Sequence, residues 1–514
     1  MFQRLLLLLA ALFPWCLRAD VTLAPLFADH AVLQQGRPVP VWGRAAPGEK
    51  VTVAFRDQTV AAAAGPDDRW VAWLEPLKPG APAELVVTGR NVLKVQDVVV
   101  GEVWVCSGQS NMEFTVRGVL RVNNADEEVA AAQYPLIRQF AVEKTVADRP
   151  ADRVRGAWAV CSPETAGNFT AVGYFFARDL YQKLGVPVGL INSSWGGTPI
   201  EPWISEDALA GDPAFAVVKE RWKQAVAEFP SQAAYEAARA EFTKAAAAAY
   251  EAWMQAPPAE KAACLARLGA VYSHTPHGHG DPATPAGLFN GMINPLIPYG
   301  IRGALWYQGE SNAGMAAEYH ALFAAMITDW RKHWGQGDFP FYWVQLANFS
   351  NSDPADTSWA RLREAQTQTL TLPNTGMAVT IDIGDPGDIH PRNKQEVGRR
   401  LALIARHHLY DIPGDWSGPM FKSAAREGAA MRVRFDHADG GLVAHDRPPA
   451  GFQIAGADRQ FHPATARIER DTVVVSAPEV KEPVAVRYAW TNAPEANLYD
   501  GAGLPAGPFR SDNW

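Results

Sequence analysis

The spacing of apolar and polar residues divides the chain into three parts. Between about residues 20 and 100, short stretches such as Val51–Phe55 and Ala83–Thr88 alternate apolar and polar side chains, with Pro and Gly between them. Alternation is typical of strands with one buried face, so this part is predicted to be a small β-sandwich domain. Alternating stretches such as Met431–Phe435 return in residues 413–514 and predict a second small β domain.

Residues 101–412 follow a different order, in which an apolar stretch leads to a polar loop and then to helix-spaced apolar residues. The strand-like stretches include Val186–Asn192, Ile301–Tyr307, Phe339–Leu346 and Gly376–Ile383. Helical spacing is found around Val172–Leu180, Tyr319–Trp330, Trp359–Leu370 and Asn393–Leu409. Strands that alternate with helices indicate a mainly parallel sheet covered by helices on both faces. The predicted fold class is therefore α/β, flanked by two small β-sandwich domains.

One stretch within this α/β part lacks strand signals. Residues from about 205 to 270 are rich in Ala, Glu and Lys at helical spacing, which predicts a helical insertion. The loop that follows contains His274, His277 and His279. No carboxylate or cysteine pattern accompanies these histidines, so we interpret the segment as a polar loop rather than a metal site. The sequence predicts neither a metal nor another cofactor.

Composition and the first residues of the chain narrow the functional classes. The chain has 514 residues, 48% of them apolar and 20% charged, which is typical of a soluble globular protein with about three domains. A net charge of -8 argues against a nucleic-acid partner. Residues 1–19 contain Arg4, the apolar stretch Leu5–Leu12 and Ala19, and they predict a secretory signal. We expect a periplasmic or secreted protein without membrane insertion, and the sequence leaves its oligomeric state open.

Three cysteines follow the predicted signal, namely Cys106, Cys161 and Cys264. The first two each end a strand-like stretch, so a disulfide between them is one alternative. Buried free thiols are common and are the favoured interpretation.

The strongest candidate for chemistry is Ser110, which follows an apolar stretch and Gly108. A strand would deliver this serine to a sheet edge, the glycine would allow a tight turn, and the free N–H groups after it would stabilise an oxyanion. An ordinary strand-to-helix turn with a capping serine has the same pattern. This segment alone does not separate the two interpretations.

Polar loops follow four of the predicted strands. These loops are Gly108–Asn111, Trp195–Thr198, Gln308–Asn312 and Asp385–His390. Ligands of open parallel sheets bind beyond the carboxyl ends of the strands, so we expect the four loops to meet at one edge.

The last of these loops contains His390, a candidate base with acidic neighbours. A catalytic histidine needs a carboxylate to orient its other ring nitrogen. Asp388 is the first choice for this role, Asp385 the second and Asp382 the third. The alternative for His390 is a histidine at a helix start that the backbone satisfies, and unused aspartates would cap turns.

Acyl transfer would require Ser110 to attack a carbonyl, His390 to carry the proton and N–H groups to stabilise the oxyanion. Glu310 would either hold a backbone turn or bind a substrate hydroxyl. The candidate donors to the oxyanion are the main chain of Ser110, the main chain of Gly196 or Gly197, and a side chain of Gln308 or Asn312.

Several of these segments together resemble the sialate O-acetylesterase family, a branch of the SGNH hydrolases. The similar segments are Gly108–Met112, Asn192–Thr198, Gly287–Met292, Trp306–Asn312 and Gly387–Pro391. The resemblance implies a flavodoxin-like catalytic domain, no metal, and hydrolysis of O-acetyl esters on sugars. It also implies that Ser110 is the nucleophile and His390 the histidine. Many SGNH enzymes place the acid three residues before the histidine, where this chain has Gly387, so the third triad member stays open.

The leading hypothesis is therefore an exported serine esterase that deacetylates sugars through an acetyl-enzyme on Ser110. The family name points to O-acetylated sialic acid, and acetylated xylan or xyloglucan is the alternative substrate. A non-catalytic carbohydrate-binding protein is the competing class, because 18 Trp residues would offer stacking surfaces unless most of them form the core. The sequence does not reveal what the helical insertion and the C-terminal β domain do.

Overall fold

The N-terminal part is built mainly from strands in antiparallel pairs, and residues 32–34 pair in parallel with residues 99–101. The computed structural model describes residues 20–350, 356–445 and 447–514, so the predicted signal, residues 1–19, lies outside the described residues. The strands are β1 (Thr22–Leu23), β2 (Val32–Gln34), β3 (Val39–Arg44), β4 (Lys50–Phe55), β5 (Gln58–Ala63), β6 (Arg69–Leu74), β7 (Ala83–Thr88) and β8 (Val92–Gly108). They form sheets with the orders β1-β3-β6 and β5-β4-β7-β8, and exposed and buried residues alternate along β6.

The α/β part follows in chain order. Its first elements are α1 (Ser110–Glu113), α2 (Ala125–Ala130), β9 (Ile137–Val142), β10 (Gly156–Val160), α3 (Ala171–Leu184) and β11 (Val188–Ser194). The stretch predicted to be a helical insertion contains α4 (Glu206–Gly211), α5 (Ala216–Ala227), α6 (Gln232–Gln255) and α7 (Lys261–Tyr272). The part then ends with β12 (Gly303–Tyr307), α8 (Ala316–Trp334), β13 (Phe341–Val344), α9 (Ser358–Gln368), β14 (Thr375–Ala378) and α10 (Lys394–Tyr410).

The central sheet has the order β10-β9-β11-β8-β12-β13-β14, and every pair except β10 with β9 is parallel. Counted along the chain, the five strands from β11 to β14 have the order 2-1-3-4-5, which is found in doubly wound sheets. The strand order reverses between β8 and β12, because the chain adds β11 on one side of β8 and β12 on the other. In doubly wound sheets, ligands bind at the carboxyl ends of the strands at such a switch point. The expectation of an α/β fold with a mainly parallel sheet is confirmed.

Strand β8 joins the N-terminal part to the central sheet without a break. Its first residues alternate between exposed and buried and pair with β7, whereas all residues from Val98 to Gly108 are buried. Continuous burial is expected for a parallel strand that is covered on both faces. The predicted domain boundary at residues 100/101 falls inside this strand, so both parts share one rigid element.

Two of the long helices in the α/β part end at a glycine. Helices α3 and α8 end at Gly185 and Gly335, which both adopt the left-handed conformation with φ of 67° and 64°. A glycine accepts this conformation without a steric penalty from a Cβ atom. Gly398 of α10 packs against Phe175 of α3, where an added Cβ would lie 2.6 Å from the Phe175 Cβ.

The C-terminal part is again antiparallel. It contains β15 (Met420–Glu427), β16 (Ala430–Asp436), β17 (Leu442–Ala444), β18 (Phe452–Ala455), β19 (Phe461–Pro463), β20 (Thr465–Glu469), β21 (Thr472–Ser476), β22 (Ala485–Tyr488), β23 (Leu498–Asp500) and β24 (Phe509–Arg510). The buried guanidinium of Arg363 on α9 donates to the carbonyls of Thr491 and Asn492, at 2.9 and 2.7 Å, and ties this part to the α/β part.

The cysteines are free thiols. Cys106, Cys161 and Cys264 are all buried and unbridged, so the alternative of a Cys106–Cys161 disulfide is wrong. Burial raises the pKa of Cys106, and it raises the pKa of Cys161 to about 11. Among the described helices, none has the length and apolar character that a membrane span requires.

Candidate active site

Ser110 stands at the carboxyl end of β8, at the switch point of the sheet. Gly108 has φ of +131°, and a Cβ atom there would lie 2.2 Å from the Tyr307 carbonyl oxygen. The chain therefore needs glycine at this turn. The Gln109 N–H donates to the same carbonyl at 3.0 Å and fixes the turn to β12. Ser110 is the first residue of α1, so its own N–H has no acceptor within the helix.

His390 lies in the loop between β14 and α10 and contacts the serine. Its Nε2 is 2.9 Å from Ser110 Oγ, although 280 positions separate the two residues. Burial, and secondarily the charge of Lys394, lowers the pKa of His390 to about 4. The imidazole is therefore neutral near pH 7, which is the form that accepts the hydroxyl proton. The structure brings these two predicted residues together in the geometry that a nucleophile and its base require.

Asp388 is the nearest to His390 of the three aspartates predicted as candidates. Its Oδ1 lies 3.9 Å from His390 Nδ1 and accepts the backbone N–H of His390 at 2.9 Å. Burial raises the pKa of Asp388. Asp385 accepts the Gly387 N–H at 2.8 Å and holds the turn. Asp382 forms an ion pair with Arg400, with contacts of 2.6 and 2.8 Å.

The two glycines after β11 have different surroundings. Of the two alternatives for a main-chain donor, the Gly196 N–H already donates to Glu113 Oε2 at 2.6 Å. A Cβ atom on Gly196 would lie 3.2 Å from the Cβ of Ser110, so glycine lets this loop approach the serine. The Gly197 N–H has no partner in the described part of the chain, and Gly197 lines the cavity into which Ser110 and His390 open.

Gln308 and Asn312, predicted as side-chain oxyanion donors, are fully buried and donate elsewhere. Gln308 Nε2 donates to Asn312 Oδ1 at 2.7 Å and to the Thr198 carbonyl at 3.3 Å. Asn312 Oδ1 also accepts the Ile200 N–H at 2.9 Å, and its Nδ2 donates to Glu201 at 3.1 Å. Both amides therefore join the loop after β11 to the loop after β12, and this geometry contradicts their predicted role.

A buried polar cluster beneath the serine was not predicted. Asn111 Nδ2 donates to Glu310 Oε1 at 2.5 Å and to the Ile389 carbonyl at 3.0 Å. Lys394 Nζ donates to Asn111 Oδ1 at 2.6 Å. Burial lowers the pKa of Lys394 to about 7 and raises the pKa of Glu310. Asn111 was within reach of sequence analysis as the neighbour of Ser110, whereas nothing in the spacing marks Lys394, the first residue of α10.

Ser110 and His390 open into a cavity of about 1920 Å³. Gly196, Gly197, Glu310 and Asp388 also line it, so six of the eight predicted site residues share one surface. The opposite side is formed by side chains of the helical insertion, whose role the sequence did not reveal. On the side of Ser110, Glu310 Oε2 is buried without a partner among the described residues.

The family model of the sialic acid-specific acetylesterases, a group of carbohydrate esterases, matches residues 100–240 and 289–406. The sialate O-acetylesterase of Rattus norvegicus is 32% identical and that of Homo sapiens 29% identical. Each alignment covers 94% of this chain and at least 90% of the relative.

A solved structure is similar over nearly the whole length. The crystal structure of a carbohydrate acetylesterase from Xanthomonas citri has a TM-score of 0.80 and 38% sequence identity, and the match covers 96% of this chain and 100% of that one. The protein is thus a carboxylic ester hydrolase, and the chain belongs to the sialic acid-specific acetylesterase family of carbohydrate esterases.

Proposed function

We propose that the protein is an exported serine esterase of the SGNH type that removes O-acetyl groups from sugars through an acetyl-enzyme on Ser110. The observation that carries this proposal is the 2.9 Å contact between Ser110 Oγ and the neutral imidazole of His390 at a cavity. The 2-1-3-4-5 strand order supports a flavodoxin-like domain. Residues 1–19 supply the predicted export signal.

In the first half of the reaction, Ser110 Oγ attacks the carbonyl carbon of the acetyl ester while His390 Nε2 takes the hydroxyl proton. The N–H groups of Ser110 and Gly197 stabilise the negative oxygen. His390 then gives the proton to the sugar oxygen as its bond to the acetyl carbon breaks. The products are the sugar with a free hydroxyl and acetyl-Ser110.

In the second half, His390 removes a proton from a water molecule that attacks acetyl-Ser110. The proton returns to Ser110 Oγ, and acetate leaves. Each half creates a transient imidazolium, and the Asp388 carboxylate at 3.9 Å from Nδ1 stabilises that charge. No external reductant, oxidant or activated donor is needed.

The sialate O-acetylesterase relatives support O-acetylated sialic acid as the substrate. The similar structure from Xanthomonas citri is described more broadly as a carbohydrate acetylesterase, a description that also includes the second candidate substrate, acetylated xylan or xyloglucan. The family assignment favours catalysis over the competing class of a binding protein without activity.

The test is acetate release from O-acetylated sialic acid and from acetylated xylan by the purified protein, Ser110→Ala and His390→Ala. Loss of the nucleophile or of its base is expected to lower kcat by about 10⁴ to 10⁶. Equal melting temperatures would control for folding, because neither substitution opens a core cavity. A Ser110→Ala variant with turnover close to that of the parent would remove this serine from the mechanism.

A further inference from the structure

The cavity above Ser110 has a second side that belongs to the helical insertion. Its principal residues, here called the insertion wall, are Trp222, Phe229, Tyr250, Trp253, Lys261 and Tyr272. Five of these six side chains are aromatic. Pockets that bind organic ligands combine apolar and aromatic side chains with a few placed polar groups.

Two polar atoms of the insertion wall are buried without a partner among the described residues. They are the hydroxyl of Tyr250 and the indole Nε1 of Trp253, a residue that is 4% exposed. Buried polar atoms normally have a hydrogen-bond partner, because leaving one unpaired is unfavourable. Glu310 Oε2 on the catalytic side of the same cavity is in the same state. Two possible donors and one acceptor without a protein partner therefore belong to residues that line the same cavity.

The insertion wall stands beside the catalytic loop. Burial, and secondarily the charge of Asp388, raises the pKa of the Tyr250 phenol. Ion pairs and hydrogen bonds hold the insertion in place. Arg221 of α5 pairs with Glu318 of α8 at 2.7 Å, and the Tyr235 hydroxyl donates to the buried Asp281 at 2.9 Å.

The cavity exceeds what one acetylated sugar needs. Its volume is about 1920 Å³, whereas sites for drug-sized ligands occupy about 300–1000 Å³. Tyr250 and Trp253 also fall between the two segments that the family model matches, 100–240 and 289–406. Part of the insertion wall thus lies outside the segments that the family model matches, whereas Trp222 and Phe229 lie within the first of them.

We propose that the insertion wall is a subsite for the sugar residues next to the acetylated one, so the preferred substrate is an O-acetylated oligosaccharide or polysaccharide. The aromatic faces cover the C–H faces of neighbouring sugars, while the Tyr250 hydroxyl and the Trp253 N–H donate to their hydroxyl or ring oxygens. This inference rests on the proposed function, because it assumes that the acetyl group is cleaved at Ser110.

The experiment compares kcat/KM for linked and unlinked sugars. The probes are acetylated xylotetraose against acetylated xylose, O-acetylated sialyllactose against free O-acetylated sialic acid, and p-nitrophenyl acetate as a substrate without sugar. For at least one backbone, the linked sugar is expected to exceed its monosaccharide by about tenfold, which corresponds to about 1.4 kcal/mol.

Two variants test the insertion wall itself. Tyr250→Phe removes one hydroxyl that has no protein partner, so folding should not suffer, and Trp222→Ala removes a stacking face that is already partly exposed. Each should lower kcat/KM for the linked sugar about tenfold more than for p-nitrophenyl acetate. Trp73→Ala is the matched control, because Trp73 is 53% exposed on β6 and does not line this cavity.

The outcomes separate the two proposals. Equal kcat/KM for linked and unlinked sugars, equal losses on both kinds of ester, or hydrolysis of p-nitrophenyl acetate without release from any of the four sugars would overturn the subsite. If the parent hydrolysed neither the four sugar esters nor p-nitrophenyl acetate, and so did not differ from Ser110→Ala, the proposed function itself would be overturned.

Discussion

Replacement of Asp388 by Asn tests the least settled member of the site. The Asn side chain keeps an oxygen that can accept the backbone N–H of His390, a hydrogen bond of 2.9 Å in the parent, but the substitution removes the negative charge. We expect Asp388→Asn to fold normally and to lose activity, because the imidazolium formed during each half-reaction loses its counter-charge. The burial that raises the Asp388 pKa also shields this pair from solvent.

The size of the loss follows from the distance. Asp388 Oδ1 and His390 Nδ1 are 3.9 Å apart, too far for the direct hydrogen bond of a closed triad. Coulomb's law at this separation gives about 1 kcal/mol with the dielectric constant of water and about 4 kcal/mol with the value of about 20 that suits protein sites. Since every 1.36 kcal/mol changes a rate tenfold, kcat/KM should fall between about 5-fold and about 10³-fold.

The assay is kcat/KM for p-nitrophenyl acetate and for an acetylated sugar, measured for Asp388→Asn, Asp388→Ala and Asp385→Asn. Asp388→Ala should lose more activity than Asp388→Asn, because the backbone N–H of His390 then has no side-chain acceptor. Asp385→Asn is the matched control, since that carboxylate caps a turn and the amide oxygen can still accept the Gly387 N–H. Activity of Asp388→Asn within twofold of the parent, or an equal loss in Asp385→Asn, would refute the reasoning.

Two further predictions concern the base and the loop contacts. The pKa of His390 is lowered to about 4 and the neutral imidazole is the active form, so kcat/KM should be retained as the pH falls through 6 and decline only near pH 4. A pH–rate profile tests this prediction, with circular dichroism as the control for folding. An acid limb centred near pH 6.5 would contradict it. Asn312→Ala leaves the buried Ile200 N–H without an acceptor and leaves Gln308 Nε2 only its longer bond to the Thr198 carbonyl, so the free energy of unfolding should fall by about 1–3 kcal/mol in chemical denaturation. A drop in kcat of about 10²–10³ with unchanged stability would instead restore Asn312 as an oxyanion donor.

Much of the architecture is predictable from local patterns. Apolar spacing marks the buried residues Val172, Phe176 and Leu180 of α3, and Gly185 marks the end of that helix. The polar loops after β8, β11 and β12 meet because parallel strands end on the same edge. The proximity of Ser110 and His390 follows from that rule of topology, although the two residues are 280 positions apart in the sequence.

Direct contacts between side chains were harder to anticipate. Gln308 and Asn312 carry amides that suit an oxyanion as well as a loop carbonyl, and the choice depends on where the loop after β11 passes. Gly196 and Gly197 were alternative donors, and Glu113, three residues after Ser110, already accepts the Gly196 N–H. Residue type and position in the chain define a set of donors, whereas the approach of a second loop decides how each donor is used.

The buried cluster of Lys394, Asn111 and Glu310 shows why such contacts are retained despite their cost. Burial lowers the pKa of Lys394 to about 7 even though the charges of Glu310 and Asp388 favour its charged form, so placing this ammonium group here is costly. In return, Lys394 holds Asn111, whose Nδ2 bonds the carbonyl of Ile389, the residue before His390. The cluster thus connects the loop of the nucleophile to the loop of its base. Its hydrogen bonds hold Asn111, the residue after Ser110, against Ile389, the residue before His390.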